Sequence, residues 1–218
     1  MNVVLVDKMG SDLSVVNAAR VSFAKKHEAF KEPSDTRLIQ YLARHGHWTP
    51  FGHCTLSFHI TAPIFVARQL VKHQVGLVWN EVSRRYVDGK PEYWMPEHWR
   101  KRAEDKKQGS SDEYVDWLSG EERTSTRVYH VSKLAVHTYE TLIGAGVAPE
   151  QARMVLPQST LTEWYWTGTL YAFSRICNLR CKPDTQLETQ TIANEIDENA
   201  RTEFPVAWDA LRKVKIHE

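Results

Sequence analysis

The chain has 218 residues, 42% of them hydrophobic, which suffices for one domain with a full core and no disulfide or metal staples. Its 28 basic and 27 acidic side chains leave a formal net charge of +1, so no global field draws it to nucleic acid or to an anionic membrane surface. No apolar run has the length of a membrane span, and three cysteines (Cys54, Cys177, Cys181) without a C-x-x-C pair fit a reducing, cytoplasmic setting.

Val3 to Val6 reads as a strand, and Ser11 or Asp12 can cap a helix reaching Arg20. Lys25 to Asp35 is a charged surface loop. From Ser34 a second helix turns Leu38, Ile39 and Leu42 inward and stops at Gly46. The run H-G-H-W-T-P-F-G-H, His45 to His53, holds three histidines but no acidic or cysteine partner at ligand spacing, so it reads as a histidine-lined turn beside a ligand, with no metal. Leu56, Phe58 and Ile60 then alternate with polar residues from Thr55 to Thr61, the pattern of a half-buried strand.

Pro63 to Tyr86 is the stretch around which the rest is organised. Ile64 to Lys72 has helical apolar spacing and delivers Arg68, Gln69, Lys72 and His73 to one end. Beyond it, Asn80, Glu81, Ser83, Arg84 and Arg85 crowd into six positions. Arg offers a planar donor fork to phosphate oxygens and Ser a single bond, so Ser83 with Arg84 or Arg85 suits a monophosphate. Glu81 suits a sugar hydroxyl or a ring N–H, and the combination reads as a nucleotide site. The plainer reading is a solvated turn in which Glu81 pairs with an arginine.

Asp88 to Glu122 is dense in charge and contains Pro91, Pro96 and Gly109, so it reads as an excursion or lid with little to bury. Its basic run from Arg100 to Lys107 is interrupted by Glu104 and Asp105, as on a solvated face. Val128, Val131, Leu134, Ala135, Thr138 and Leu142 mark a helix from Ser125 to Ile143, stopped by Gly144. Ala148 to Pro157 reads as a short helix that buries the cation of Arg153 among apolar neighbours, at a cost unless an anion or polar ligand meets it. Thr160 to Thr167 alternates like a strand that Gly168 breaks; Thr169 to Leu179 resumes a helix, Asp184 to Phe204 forms a long one, and Val206 to Val214 closes the chain. Cys177 and Cys181, four apart on a helix, read as small core residues.

Six blocks of this sequence, in order, are similar to the flavin-dependent thymidylate synthase family. They are M-G-S-D-L-S-V-V-N-A-A-R-V-S-F (Met9 to Phe23), H-G-H-W-T-P-F-G-H, A-P-I-F-V-A-R-Q (Ala62 to Gln69), N-E-V-S-R-R-Y, A-R-M-V-L-P and N-L-R (Asn178 to Arg180). The resemblance implies an α+β fold, an antiparallel sheet flanked by helices in one domain of residues 1–218, with the charged excursion near 88–122 as its main addition. It also implies a homotetramer with active sites shared between subunits. The implied chemistry converts dUMP to dTMP on FAD, with NADPH as reductant and methylenetetrahydrofolate as carbon donor, and without an enzyme nucleophile.

Carried over residue by residue, the resemblance implies that Gln69, Lys72, Glu81, Val82, Ser83, Arg84, Arg85 and Arg153 contact dUMP. Arg180 is implied as the catalytic group favouring ionisation at uracil N3. Ser22, His47, Thr49, Lys72, His73, Gln74, Glu81 and Arg175 are implied on the FAD side. The sequence departs from the family pattern at Lys72-His73-Gln74, where Arg-His-Arg is usual and Ser83 follows one residue later than usual. It departs again at Thr169, Tyr171 and Arg175, which leads us to expect that Arg175 restores the positive charge missing at Gln74. Two other readings stay open: a flavin and folate enzyme making another 5-substituted pyrimidine nucleotide, such as a hydroxymethylated one, and a non-catalytic nucleotide or nucleic-acid binding module.

Overall fold

The computed structural model describes residues 1–87, 89–104, 109–118 and 122–213. Period-two alternation builds its sheet: Leu56, Phe58 and Ile60 of β2 (Thr55–Pro63) and Trp164 and Trp166 of β6 (Leu161–Thr169) are all buried on one face. The four strands lie in the order β1-β2-β6-β3, all neighbours antiparallel, with β1 (Asn2–Met9) and β3 (Leu77–Glu81) at the edges. The antiparallel, helix-flanked α+β architecture is the one expected.

Helices surround the sheet. They are α1 (Asp12–Arg20), α2 (Ser34–Arg44), the short α3 (Thr49–Gly52), α4 (Ile64–Leu70), α5 (Thr124–Gly144), the single turn α6 (Pro149–Ala152), α7 (Leu170–Arg180), α8 (Leu187–Glu203) and α9 (Pro205–Lys213). Those other than α5 and α6 pack on the sheet's apolar face or on one another over it. Phe173, Ile176, Ile192, Ile196, Phe204 and Trp208 fill the core against the two tryptophans. Ser11 is the N-cap residue of α1, and its N–H donates to Ser14 Oγ at 3.0 Å. Asp12 instead reaches across the fold: its carboxylate accepts from the Val206 and Ala207 amides at 3.0 and 2.8 Å, satisfying the orphan donors that open α9. Among the described residues no helix is long and apolar enough to cross a membrane.

Three expectations are corrected, and one strand appears where none was assigned. Gly168 does not break β6: it pairs with Leu56 and Leu77, and a Cβ there would lie 2.7 Å from the Gly76 carbonyl oxygen, so its bareness admits β3 alongside. Leu77–Glu81 is a strand, although its polar end hid the alternation. The charged excursion contains the two-stranded β4 (Arg100–Arg102) and β5 (Ser110–Tyr114), anchored where Arg100 Nη2 meets the largely buried Glu188 of α8 at 2.7 Å. Residues 88, 105–108 and 119–121 of that excursion, and Val214 from the expected closing piece, lie outside the described residues. Arg153 is exposed, because the helix gives way after Ala152 to a 3-10 turn that presents Arg153 and Met154 to solvent.

In α5 the buried positions are Ser132, Val136 and Tyr139, whereas Val131 and Leu134 point outward. Val128, Ala135, Thr138 and Leu142, from the same apolar spacing, are half-buried beside that face.

Candidate active site

Val71 to Gly76 is the hinge between α4, which carries Gln69 in its last turn, and β3. Gly76, at φ 78°, turns the chain so that its carbonyl accepts from the Thr169 amide at 3.1 Å, and a Cβ on it would press to 3.2 Å from Ala172 Cβ. The turn is thereby seated against the start of α7, which Thr169 caps by accepting from the Ala172 amide at 3.1 Å.

This seating brings His73 to α7, where Arg180 Nε donates to His73 Nε2 at 3.1 Å. Burial, then the nearby cations of Arg180 and Arg175, push His73 down to about 4, so the imidazole is neutral at pH 7. With Nε2 accepting, the ring proton is on Nδ1. Burial also pulls Arg180 below the usual guanidinium range. Lys72 and Gln74, on either side of His73, are exposed. The His47–Thr49 turn joins the same end of the molecule, since Trp48 and Tyr171 of α7 have ring centroids 5.8 Å apart. Ser22 lies exposed in the 3-10 turn after α1 and, among the described residues, makes no hydrogen bond to another candidate.

The second group stands at the far end of β3. Four rises of about 3.3 Å separate Leu77, which pairs with Gly168 beside α7, from Glu81, so β3 spans roughly 13 Å between its two ends. Glu81 accepts from Thr162 Oγ1 at 2.7 Å through Oε1 and from Trp79 Nε1 at 3.1 Å through Oε2. Val82 donates its amide to the Glu163 carbonyl at 2.9 Å, and the chain then turns through Ser83, whose Oγ accepts from the Arg85 amide at 3.3 Å. Arg85 Nε lies 3.4 Å from Glu150 Oε2 and Arg153 Nε donates to the Glu150 carbonyl at 3.3 Å, so both guanidiniums converge on one residue. Arg84 is turned aside, donating to the Gly89 carbonyl. Thr162, Trp79 and Glu150 were not picked out from sequence. Trp79 carried a signal, being two residues from Glu81 on the same strand face; Thr162 carried none, because only strand pairing brings it near.

Gln69 Oε1 is buried and, among the described residues, without a hydrogen-bond partner. Such an orphan acceptor is costly unless a donor arrives from a ligand or another chain.

Cys177, Cys181 and Asp197 place ligand-type atoms within 4.8 Å of one another, which spacing along one helix did not suggest. The Asp197 carboxylate is already engaged: Arg212 Nε at 2.6 Å, Arg201 Nη2 at 3.1 Å and Trp208 Nε1 at 3.0 Å. Burial raises the Cys54 thiol to about 11 and pushes the Cys177 thiol well up, so neither is an activated thiolate. A hydrogen bond from Cys177 lowers Cys181, whose sulfur faces that partner and Asp197.

Residues 4–206 match the family model described as "Thymidylate synthase complementing protein". A flavin-dependent thymidylate synthase from Thermus thermophilus is 40% identical over 209 residues, covering 96% of this chain and 74% of that protein. Another from Thermosipho africanus is 39% identical over 210 residues, covering 96% of this chain and 90% of that protein. Among solved structures, the UMP/dUMP methylase PolB from Streptomyces cacaoi bound with 5-Br dUMP has a TM-score of 0.83 and 31% identity, covering 98% of this chain and 95% of that one. The same enzyme bound with 5-Br UMP has a TM-score of 0.78 and 30% identity, covering 96% of this chain and 92% of that one. On the extent of these matches, the chain belongs to the thymidylate synthase complementing protein family, the flavin-dependent thymidylate synthases, which are methyltransferases.

Proposed function

We propose that this protein methylates dUMP to dTMP on FAD, taking the carbon from methylenetetrahydrofolate and the reducing equivalents from NADPH. The observation that carries this reading is the group Glu81, Ser83, Arg85 and Arg153 around the end of β3, in a chain of this family. Arg85, Arg153 and Ser83 supply the donors that a monophosphate accepts, and Glu81 the acceptor that a ribose hydroxyl or ring N–H requires. A relative of similar structure has been solved with 5-Br dUMP bound, which supports a pyrimidine nucleotide as the occupant here.

The residues present fit a flavin. The neutral His73 has its Nδ1 proton free for a ring carbonyl, Gln69 Oε1 lacks a donor among the described residues, and Arg175 and Arg180 supply positive charge at the same end of the molecule. Thr49, His73 and Glu81, with Ser22, His47, Lys72, Gln74 and Arg175, would hold FAD, and Gln69, Lys72, Glu81, Val82, Ser83, Arg84, Arg85 and Arg153 would hold dUMP. When bound, the flavin supplies the hydride that completes the methyl group. Arg180 stabilises the negative charge that develops at uracil N3, more effectively for being half-withdrawn from water.

The placement of the two groups at opposite ends of β3 and the exposed Tyr129, Val131 and Leu134 of α5 support a homotetramer in which one subunit's Glu81 group faces another's His73 and Arg180. We place the enzyme in the cytoplasm as one domain acting on free nucleotides.

The test is the absorption spectrum of the purified protein, anaerobic bleaching by NADPH, and mass spectrometry of the nucleotide formed from dUMP and methylenetetrahydrofolate. A flavin band, bleaching and dTMP are expected. A hydroxymethylated product moves the assignment to a sister reaction, a reading motivated by Lys72-His73-Gln74, and a colourless protein that binds nucleotide without product removes catalysis.

A further inference from the structure

We infer that Thr162 and Trp79 are positioning residues that fix the Glu81 carboxylate before any ligand arrives, an inference that rests on Glu81 being a nucleotide contact. An exposed glutamate ordinarily samples several rotamers and loses that freedom when it binds. Here each carboxylate oxygen has its own donor, from a different strand: Thr162 Oγ1 on Oε1 at 2.7 Å and Trp79 Nε1 on Oε2 at 3.1 Å. Two donors on separate oxygens fix the plane of the group as well as its place.

Both donors are themselves held by the core. Thr162 is only 6% exposed, and Glu81 is the acceptor its buried hydroxyl needs. The Trp79 indole stacks on Trp164 at 4.4 Å and 17°, and meets Trp166 edge-on at 5.4 Å and 73°. Trp164 and Trp166 lie opposite Glu81 and Trp79 in the β3–β6 ladder and are buried, so the indole N–H cannot swing away without breaking the packing of the sheet. A carboxylate has about four acceptor positions, so after both bonds each oxygen keeps room for one donor from a ligand.

The experiment titrates dUMP into FAD-saturated protein for Thr162→Val, Thr162→Ser, Trp79→Phe and Glu81→Ala, with a thermal melt and a KM and kcat determination on each. Thr162→Val is expected to weaken dUMP binding about three- to tenfold, the worth of one hydrogen bond, with its melting temperature held. Thr162→Ser, which keeps the hydroxyl, restores binding to near the parent, and Trp79→Phe weakens it by a similar factor. Unchanged dUMP affinity in a folded Thr162→Val protein whose Glu81→Ala counterpart has lost affinity overturns the positioning role alone. Unchanged affinity in Glu81→Ala overturns the nucleotide-contact reading and this inference with it. Equal weakening in Thr162→Val and Thr162→Ser also overturns the inference, because the hydroxyl is then not what matters.

Discussion

Arg180 Nε donates to His73 Nε2 at 3.1 Å, joining the last turn of α7 to the hinge after α4. The bond exists only while His73 Nε2 carries no proton, and the cation beside it helps keep the proton off. Replacing Arg180 by Gln should therefore raise His73 above its value of about 4, though burial keeps it under 6.5. A two-dimensional NMR titration of the histidine ring protons reads this directly, and an unmoved His73 would separate the two residues.

The same depression has a signature in stability. His73 binds a proton in the unfolded chain near pH 6.5 but in the folded protein only near pH 4, so the unfolded state takes up more protons between those values. Stability thus falls as pH drops from about 6.5 towards 4 and levels off below. Denaturant unfolding of His73→Gln against the parent, across that window, should show a shallower decline in the variant.

Arg175 stands close enough to His73 to repel its proton, which places a cation beside the hinge that lacks an arginine at Gln74. Arg175→Ala should weaken FAD binding by about tenfold or more, the scale of a charge-assisted contact to a pyrophosphate. Flavin fluorescence titration measures it, and an unchanged dissociation constant removes the compensation.

Gly168 admits β3 because a Cβ there would come to 2.5 Å from Leu77 Cδ2 and 2.7 Å from the Gly76 carbonyl oxygen. Backbone cannot give as a side chain can, so Gly168→Ala should cost about 2–3 kcal/mol and loosen the strand that carries Glu81. Chemical denaturation gives the first quantity and dUMP affinity the second.

Arg100 binds Ser110 Oγ at 2.6 Å through Nε and the 7%-exposed Glu188 at 2.7 Å through Nη2. Arg100→Ala leaves that carboxylate buried without its cation, at a cost of about 3 kcal/mol, the low end for a buried pair because Arg100 is partly exposed. Limited proteolysis should then cut within β4 and β5 sooner than in the parent.

Periodicity carried much of the fold. Leu56, Phe58 and Ile60 alternate because one side of β2 is wet and the other dry, and Ile192 and Ile196 stand one helical turn apart for the same reason, so these elements were readable from the chain alone. So was the family, because its six blocks are short runs of neighbouring residues.

What the chain alone left hidden depended on contacts between distant residues. Local rules made Gly168 a breaker, but the approach of Gly76 and Leu77 makes it a strand residue. The hydroxyl of Thr162 meets Glu81 across 81 positions, and Arg180 meets His73 across 107. Residue type and order determined what kind of chemistry this protein can offer. The pairing of β3 with β6 and the seating of the hinge on α7 decided which of those groups meet, because hydrogen bonds and burial act over a few ångströms of space however far apart their partners lie along the chain.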